Sequence, residues 1–175
     1  MRELHERAAP ILLRLAKSEW WPLNDAERTA VAAYFALVSM MWQLADRETM
    51  ASTASERKYI MEKGVPPSNW IVCIGECKGQ DWSEEIMYTG FQFDSGFENS
   101  KANCHQFVST FGGMAFSTFS FPTAAFAGFS FAVSGILNEF ALQKIWPLGG
   151  AVIGTPKRSL SDREMTKLGN LFYIN

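Results

Sequence analysis

The sequence is poor in the residues from which metal sites and nucleophilic centres are built. Its 175 residues include only two histidines and three cysteines. An odd cysteine count argues against a disulfide framework and for a reducing compartment, with the cytoplasm as the expected address. There is no excess of positive charge: 16 Lys and Arg stand against 18 Asp and Glu, a net charge of −2. No basic stripe runs along the chain, so a polyanion finds no attracting field and nucleic acid is an unlikely partner. No apolar run is long enough for a bilayer, which excludes a membrane helix. Met1–Ala16 carries charge throughout its apolar part and so does not read as a signal peptide. Walker loops, dinucleotide fingerprints, serine elbows and His-Glu-x-x-His helices are all missing. Gly112-Gly113 and Gly149-Gly150 read as turns, and no cofactor is expected.

What is present is a core-forming composition, 47% hydrophobic and 19% charged, enough for one folded domain spanning 1–175. Residues 1–64 read as helical. Leu4, Ile11, Leu12 and Leu15 share one face of a first helix, in which Pro10 should force a kink unless the helix begins near Ala9. Asn24 with Glu27 makes a capping-box variant opening a long central helix over about 25–47. Its apolar stripe, including Ala30, Val31, Leu37 and Met41, is too broad for a helix buried on one side only. Thr53 with Glu56 caps a third helix that Gly64 stops.

From residue 69 to 155 the period becomes two. Strands are expected at Trp70–Gly75, Glu85–Phe93, Cys104–Phe111 and Met114–Phe121, the last two joined through the Gly112-Gly113 turn. A final pair is expected at Leu142–Trp146 and Ala151–Ile153. Ala124–Phe140 reads equally well as a strand with a bulge or as a short helix. Ser161 with Glu164 caps a closing helix over 161–169. The fold class is therefore α+β: N-terminal helices, a mostly antiparallel sheet and a short C-terminal helix.

Few constellations carry chemistry. His5 and His105 lie far apart and read as unrelated surface or edge residues. Cys73, Cys77, Cys104 and His105 are the only weak candidates for a zinc site. Residues four apart on a strand lie roughly 13 Å from one another, and Cys104 and His105 should point to opposite faces. Buried, reduced thiols are the simpler reading. Glu76, Asp81, Glu84, Glu85, Asp94 and Glu98 form an acidic stretch opposed only by Lys78. It reads as a face that meets a protein partner with a basic surface, or as a set of solvated loop carboxylates. Twelve of the fourteen Phe lie between Phe91 and Phe140, giving one Phe-lined and one small-polar sheet face. If Phe126, Phe129 and Phe131 are exposed they become apolar anchors, as do Trp20 and Trp21. A Phe-lined face left uncovered would favour a homodimer.

Four segments carry a family likeness: Leu4-His-Glu-Arg-Ala-Ala-Pro-Ile-Leu13, Leu23-Asn-Asp-Ala-Glu-Arg-Thr-Ala-Val-Ala-Ala-Tyr34, Val65-Pro-Pro67 with the strand at Trp70, and Ile145-Trp-Pro147 leading to Leu160-Ser-Asp-Arg-Glu164. Their order resembles the region that follows the Cys-x-x-Cys-Asn segment in bacterial and phage HNH-nuclease-like proteins. In that group the metal ligands and the catalytic histidine lie upstream of the matching region. The resemblance thus implies the fold of the tail without cleavage chemistry. The expectation is a non-enzymatic protein-binding protein of phage or mobile-element origin, an anti-CRISPR-like inhibitor of a host nuclease-based defence. The alternative is a nucleic-acid-binding accessory domain left from an HNH-type nuclease, with Arg2, Arg7, Arg14 and Lys17 gathered against phosphates.

Overall fold

A computed structural model describes residues 2–45, 47–82, 85–94, 101–123, 126–149 and 153–172. Glu84, Glu98 and Ala151 lie outside the described residues, as does the side chain of Asp94. The chain order is α1 (Arg2–Ala16), α2 (Asp25–Gln43), α3 (Ala54–Lys63), β1 (Trp70–Cys77), β2 (Ile86–Asp94), β3 (Lys101–Phe111), β4 (Met114–Ser120), α4 (Phe126–Glu139), β5 (Gln143–Trp146), β6 (Ser159–Leu160) and α5 (Asp162–Gly169). The fold is α+β, as the sequence pattern implies.

The expected capping boxes all form. Asn24, Thr53 and Ser161 each accept from the N3 backbone, and Glu27, Glu56 and Glu164 each reach back to the cap. The short polar side chains satisfy N–H groups that the helix cannot pair internally. These bonds to Ser161, led by the one from its backbone, also hold the Glu164 carboxyl below its ordinary range. Gly64 closes α3 in the left-handed conformation, φ 64°. Pro10 neither breaks α1 nor starts it. The helix runs continuously from Arg2, with Pro10 and Glu6 both exposed, so water can reach the backbone group that the ring leaves unpaired.

The strands order as β2-β3-β4-β1-β5, antiparallel throughout, with β6 pairing in parallel beside β5 on the outer side of β1. Residues 102–138 contain no Lys, Arg, Asp or Glu. The pattern suits strands buried on both faces, and β4 is buried at every position. One face packs Val72, Ile74, Phe107 and Phe116 against α1 and α2. The other packs Ile71, Cys73, Val108 and Phe119 against α4 and α5. The expected division into a Phe-lined face and a small-polar face is therefore corrected. Phe107 and Phe116 point one way and Phe119 the other, because the core has two layers to fill.

Ile153 does not form a strand with Leu142–Trp146; it makes a single bridge to Leu23. The ambiguous segment is the helix α4. Phe126, Phe129, Val133, Ile136 and Leu137 turn toward the sheet at helical spacing, with Phe129 stacked on Phe121 at 4.4 Å. The β3–β4 hairpin turn seats against the end of α1. Gly112 takes φ 56°, a Cβ there would lie 2.6 Å from the Ala16 carbonyl oxygen, and the Gly113 N–H donates to that same oxygen at 2.7 Å. The glycine pair thus caps the first helix as well as turning the chain.

Candidate protein-docking face

Helix α2 ends at Gln43, whose side chain is buried. Its Oε1 accepts the N–H groups of Ala51 (3.1 Å) and Ser52 (2.8 Å), pinning the following loop back onto the helix end. That fixes the amide orientation, so its Nε2–H₂ faces the His105 ring, 2.9 Å from Nδ1 and 3.2 Å from Nε2. Ser39 donates to the Phe35 carbonyl, which leaves its oxygen to accept from the Thr118 hydroxyl at 2.5 Å. The Thr118 hydroxyl oxygen lies 3.5 Å from His105 Nε2. An amide donor held against the ring suits a neutral imidazole. Trp70 meets the ring edge-on at 4.8 Å. Burial lowers the His105 pKa to about 3.

His105 is thus fully buried, not at a surface or edge. The histidine joins the central helix to the sheet, with the Gln43 amide against its ring.

The zinc candidates do not converge. Cys73, Cys77 and Cys104 face the α4–α5 side and His105 the α1–α3 side. Among the described residues no group of three or more His, Cys, Asp or Glu could hold a metal. Burial raises all three thiols above their ordinary range, Cys104 to about 11. They are protonated, weakly nucleophilic core residues.

The acidic stretch divides. Glu76 is largely buried, accepts from the Ser159 hydroxyl and pairs with Lys78 at 3.6 Å, so it serves the β1–β6 junction rather than a partner. Asp81 and Glu85 are exposed. The loop carrying them is held by α5: Asp162 accepts from Gln80 N (3.1 Å) and Trp82 N (3.0 Å), and the Trp82 indole donates to Thr166. This tether fixes the start of β2 and presents Glu85 beside Ile86.

The apolar candidates divide as well. Trp20 and Trp21 pack on the core, with the Arg14 guanidinium 3.8 Å over the Trp21 ring. Phe126 and Phe129 are partly buried under α4. Phe131 alone is fully presented, at 85% exposure. On α1, Arg2 pairs with Glu6 at 2.8 Å and Arg14 with Glu19 at 3.5 Å, so two of the four basic residues named for phosphate contact are each matched to a carboxylate.

A groove that the sequence did not announce lies elsewhere. On the α1–α3 side, α2 packs chiefly across β1, β4 and β5. The β2–β3 end is left less covered, and a groove of about 170 Å³ opens there between Leu12, Tyr34, Val38, Ile86, Phe107 and Phe111. Its floor is aromatic: Phe35 stacks on Phe116 at 3.8 Å and Phe107 lies 5.6 Å from Phe116. Large apolar side chains rim it, Ile86 at 42% and Phe111 at 45% exposure, with Met41 and Trp42 exposed on the last turns of α2. A rim of this kind has the marks of a docking site. The signal that could have found it is the broad apolar stripe of α2, which exceeds what the sheet alone can cover. A wider, polar cleft of about 490 Å³ lies between α4 and β5, lined among others by Asn138, Gln143, Lys144 and Lys157. Among the described residues, the groove lining holds no Asp, Glu, His, Lys or Arg, and the cleft lining holds two lysines, Lys144 and Lys157, with no carboxylate or histidine.

No protein-family model, no curated protein and no solved structure matches this chain. The likeness to HNH-nuclease-like proteins therefore rests on the four sequence segments alone. No helix among the described residues is long and apolar enough to cross a membrane.

Proposed function

We propose that the chain is a non-enzymatic protein-binding protein whose docking face is the aromatic-floored groove beside β2, and that its partner brings basic side chains to Asp81 and Glu85. The observation that supports this reading most is the conjunction at one place of exposed Ile86 and Phe111, the open groove and an adjacent exposed carboxylate, Glu85. Apolar contact supplies affinity at the centre of an interface, and complementary charge at its rim supplies steering and specificity.

Paired captures test it. Tagged wild-type protein, Phe111→Asp, Glu85→Lys and Phe131→Ser, each checked for native circular dichroism, are incubated with bacterial extract. A stoichiometric partner retained by wild type and Phe131→Ser but lost by Phe111→Asp supports the reading. A partner retained by Phe111→Asp, or none with any bait, contradicts it. A narrower form makes that partner a nuclease of a bacterial defence system, with its basic nucleic-acid groove the target and the protein an anti-CRISPR-like inhibitor. This form draws on the sequence resemblance and the acidic stretch. It requires that purified protein lower target-DNA cleavage by such a nuclease in proportion to its concentration.

A further inference from the structure

We infer that the open edge of β2 is itself a docking strand, taking an extended partner segment that is uncharged at its centre and carries Lys or Arg at both ends. The inference rests on the protein-binding reading above and specifies the partner.

Strand β2 is the outermost strand on its side of the sheet. It spans nine residues and pairs with β3 in an unbroken register from Ile86↔Ser109 to Asp94↔Lys101. The direction of its backbone groups follows from the hairpin. Phe111 and Met114 close a two-residue turn, so Phe111 and its odd-numbered neighbours on β3 point their N–H and C=O groups to β4. The even-numbered residues of β3 then point to β2. Their partners there are Met87, Thr89 and Phe91. The backbone groups of Ile86, Gly90 and Gln92 accordingly point away from the sheet, and no strand lies beyond them among the described residues.

Edge strands are commonly blunted by proline, lysine, an inward charge or a bulge. None interrupts Ile86–Phe93, whose sequence is Ile-Met-Tyr-Thr-Gly-Phe-Gln-Phe. Charge sits only at the ends and has one sign. From Lys78 to Lys101 the chain holds five carboxylates and no cation between them, and Glu85 and Asp94 bracket the strand. A second copy pairing antiparallel along β2 would set Glu85 near the partner's Asp94 at each end, bringing like charges together. A segment with basic ends meets opposite charge at each end instead. Ile86 lies on both the edge and the groove, so an apolar side chain of the added strand next to it would reach the groove mouth. The added strand would run about 4.8 Å from β2, with backbone bonds giving affinity and alternate side chains giving specificity.

The test uses full-length protein and fluorescein-labelled synthetic peptides read by anisotropy. The reference probe is Lys-Arg-Val-Ser-Val-Thr-Val-Ser-Lys-Arg. Companion probes carry Glu at all four end positions, or N-methyl groups on one or the other alternate set of central residues. We expect the basic-ended probe to bind, and to bind at least threefold more tightly in 50 mM than in 200 mM salt. The acid-ended probe should be at least tenfold weaker. One N-methyl set should abolish binding while the other spares it, because only one side of an added strand donates to β2. Gln92→Pro, which removes one outward N–H, should weaken binding more than Gln92→Ala. Equal affinity for basic and acidic ends, indifference to both N-methyl sets, or no binding at millimolar probe each overturns the inference. If that happens while Phe111→Asp still strips the captured partner, the groove reading stands without the edge strand; if Phe111→Asp also has no effect, both fall.

Discussion

The two faces of the sheet are solved differently. On the α4–α5 side Cys73, Cys104, Phe119 and Val108 meet Val133, Leu137, Met165 and Leu168, and one buried amide, Gln106, donates to the Leu168 carbonyl at 2.8 Å. Helix α5 contacts both β2 and β3 there, so the layer is closed up to the sheet edge. On the α1–α3 side the helices lean toward β1, β4 and β5. The interior includes a linear set of polar groups, Gln43, His105, Thr118 and Ser39, and the layer ends in an open aromatic groove. The α4–α5 layer covers the sheet to its β2 edge. The other combines a specifying polar network with an unfinished edge, and that unfinished edge is where recognition is proposed to occur.

The largest expected effects separate these faces by packing. Phe119→Ala, deep in the closed layer, should cost about 4 kcal/mol of unfolding free energy, as large aromatic truncations in rigid cores do. Phe107→Ala, on the groove floor, should cost about 2 kcal/mol, because part of its surroundings is already open. Urea unfolding of both variants checks the ordering; equal losses would mean the groove is filled as tightly as the core.

Removing the amide that holds the network comes next. Gln43→Ala leaves the Ala51 and Ser52 N–H groups and His105 Nδ1 without their partner, and should cost about 3 kcal/mol and loosen the 45–52 loop toward limited proteolysis. Conservative Gln43→Glu should not rescue it at neutral pH, since a buried carboxylate replaces the amide donor to His105.

The network also predicts a pH dependence of its own. The fold holds the His105 pKa at about 3, below the ordinary value of about 6.5, so the unfolded chain binds a proton that the native chain refuses. The contribution is fully present above about pH 6.5 and is lost as pH falls toward 3, with a slope of about 1.4 kcal/mol per pH unit between roughly pH 6 and 4. His105→Gln should flatten that part of the stability curve. An unchanged slope would show that the ring is already protonated in the native state.

The smallest effects belong to the thiols and to α4. Cys73, Cys77 and Cys104 should resist a thiol reagent in native buffer and react on unfolding; fast reaction in the native protein would contradict their burial. Phe131→Ser should change stability by no more than about 0.5 kcal/mol, because the ring touches little.

Much of the fold was legible because it was written locally. Asn24–Glu27, Thr53–Glu56 and Ser161–Glu164 announced three helix starts, and Gly112-Gly113 announced the central hairpin. Helix α4 was hidden by one residue: Phe131, which is exposed and out of phase, makes Phe129, Phe131 and Val133 read as an alternating strand. His105 was misread because its partners, Gln43 and Thr118, come from other elements and only the fold brings them together. The proposed docking face was half legible. Its charge was visible at Asp81 and Glu85, but its groove depends on which strands α2 leaves uncovered, a property of packing and not of any single segment.

Residue-resolved amide hydrogen exchange, with and without the basic-ended peptide, tests the claim that β2 is an open edge for recognition. In the free protein the amides of Met87, Thr89 and Phe91 should exchange slowly and those of Ile86, Gly90 and Gln92 quickly, and the peptide should slow these outward amides and leave Met87, Thr89 and Phe91 unchanged. Outward amides already protected in the free protein, or protection by the peptide appearing away from β2, would contradict it.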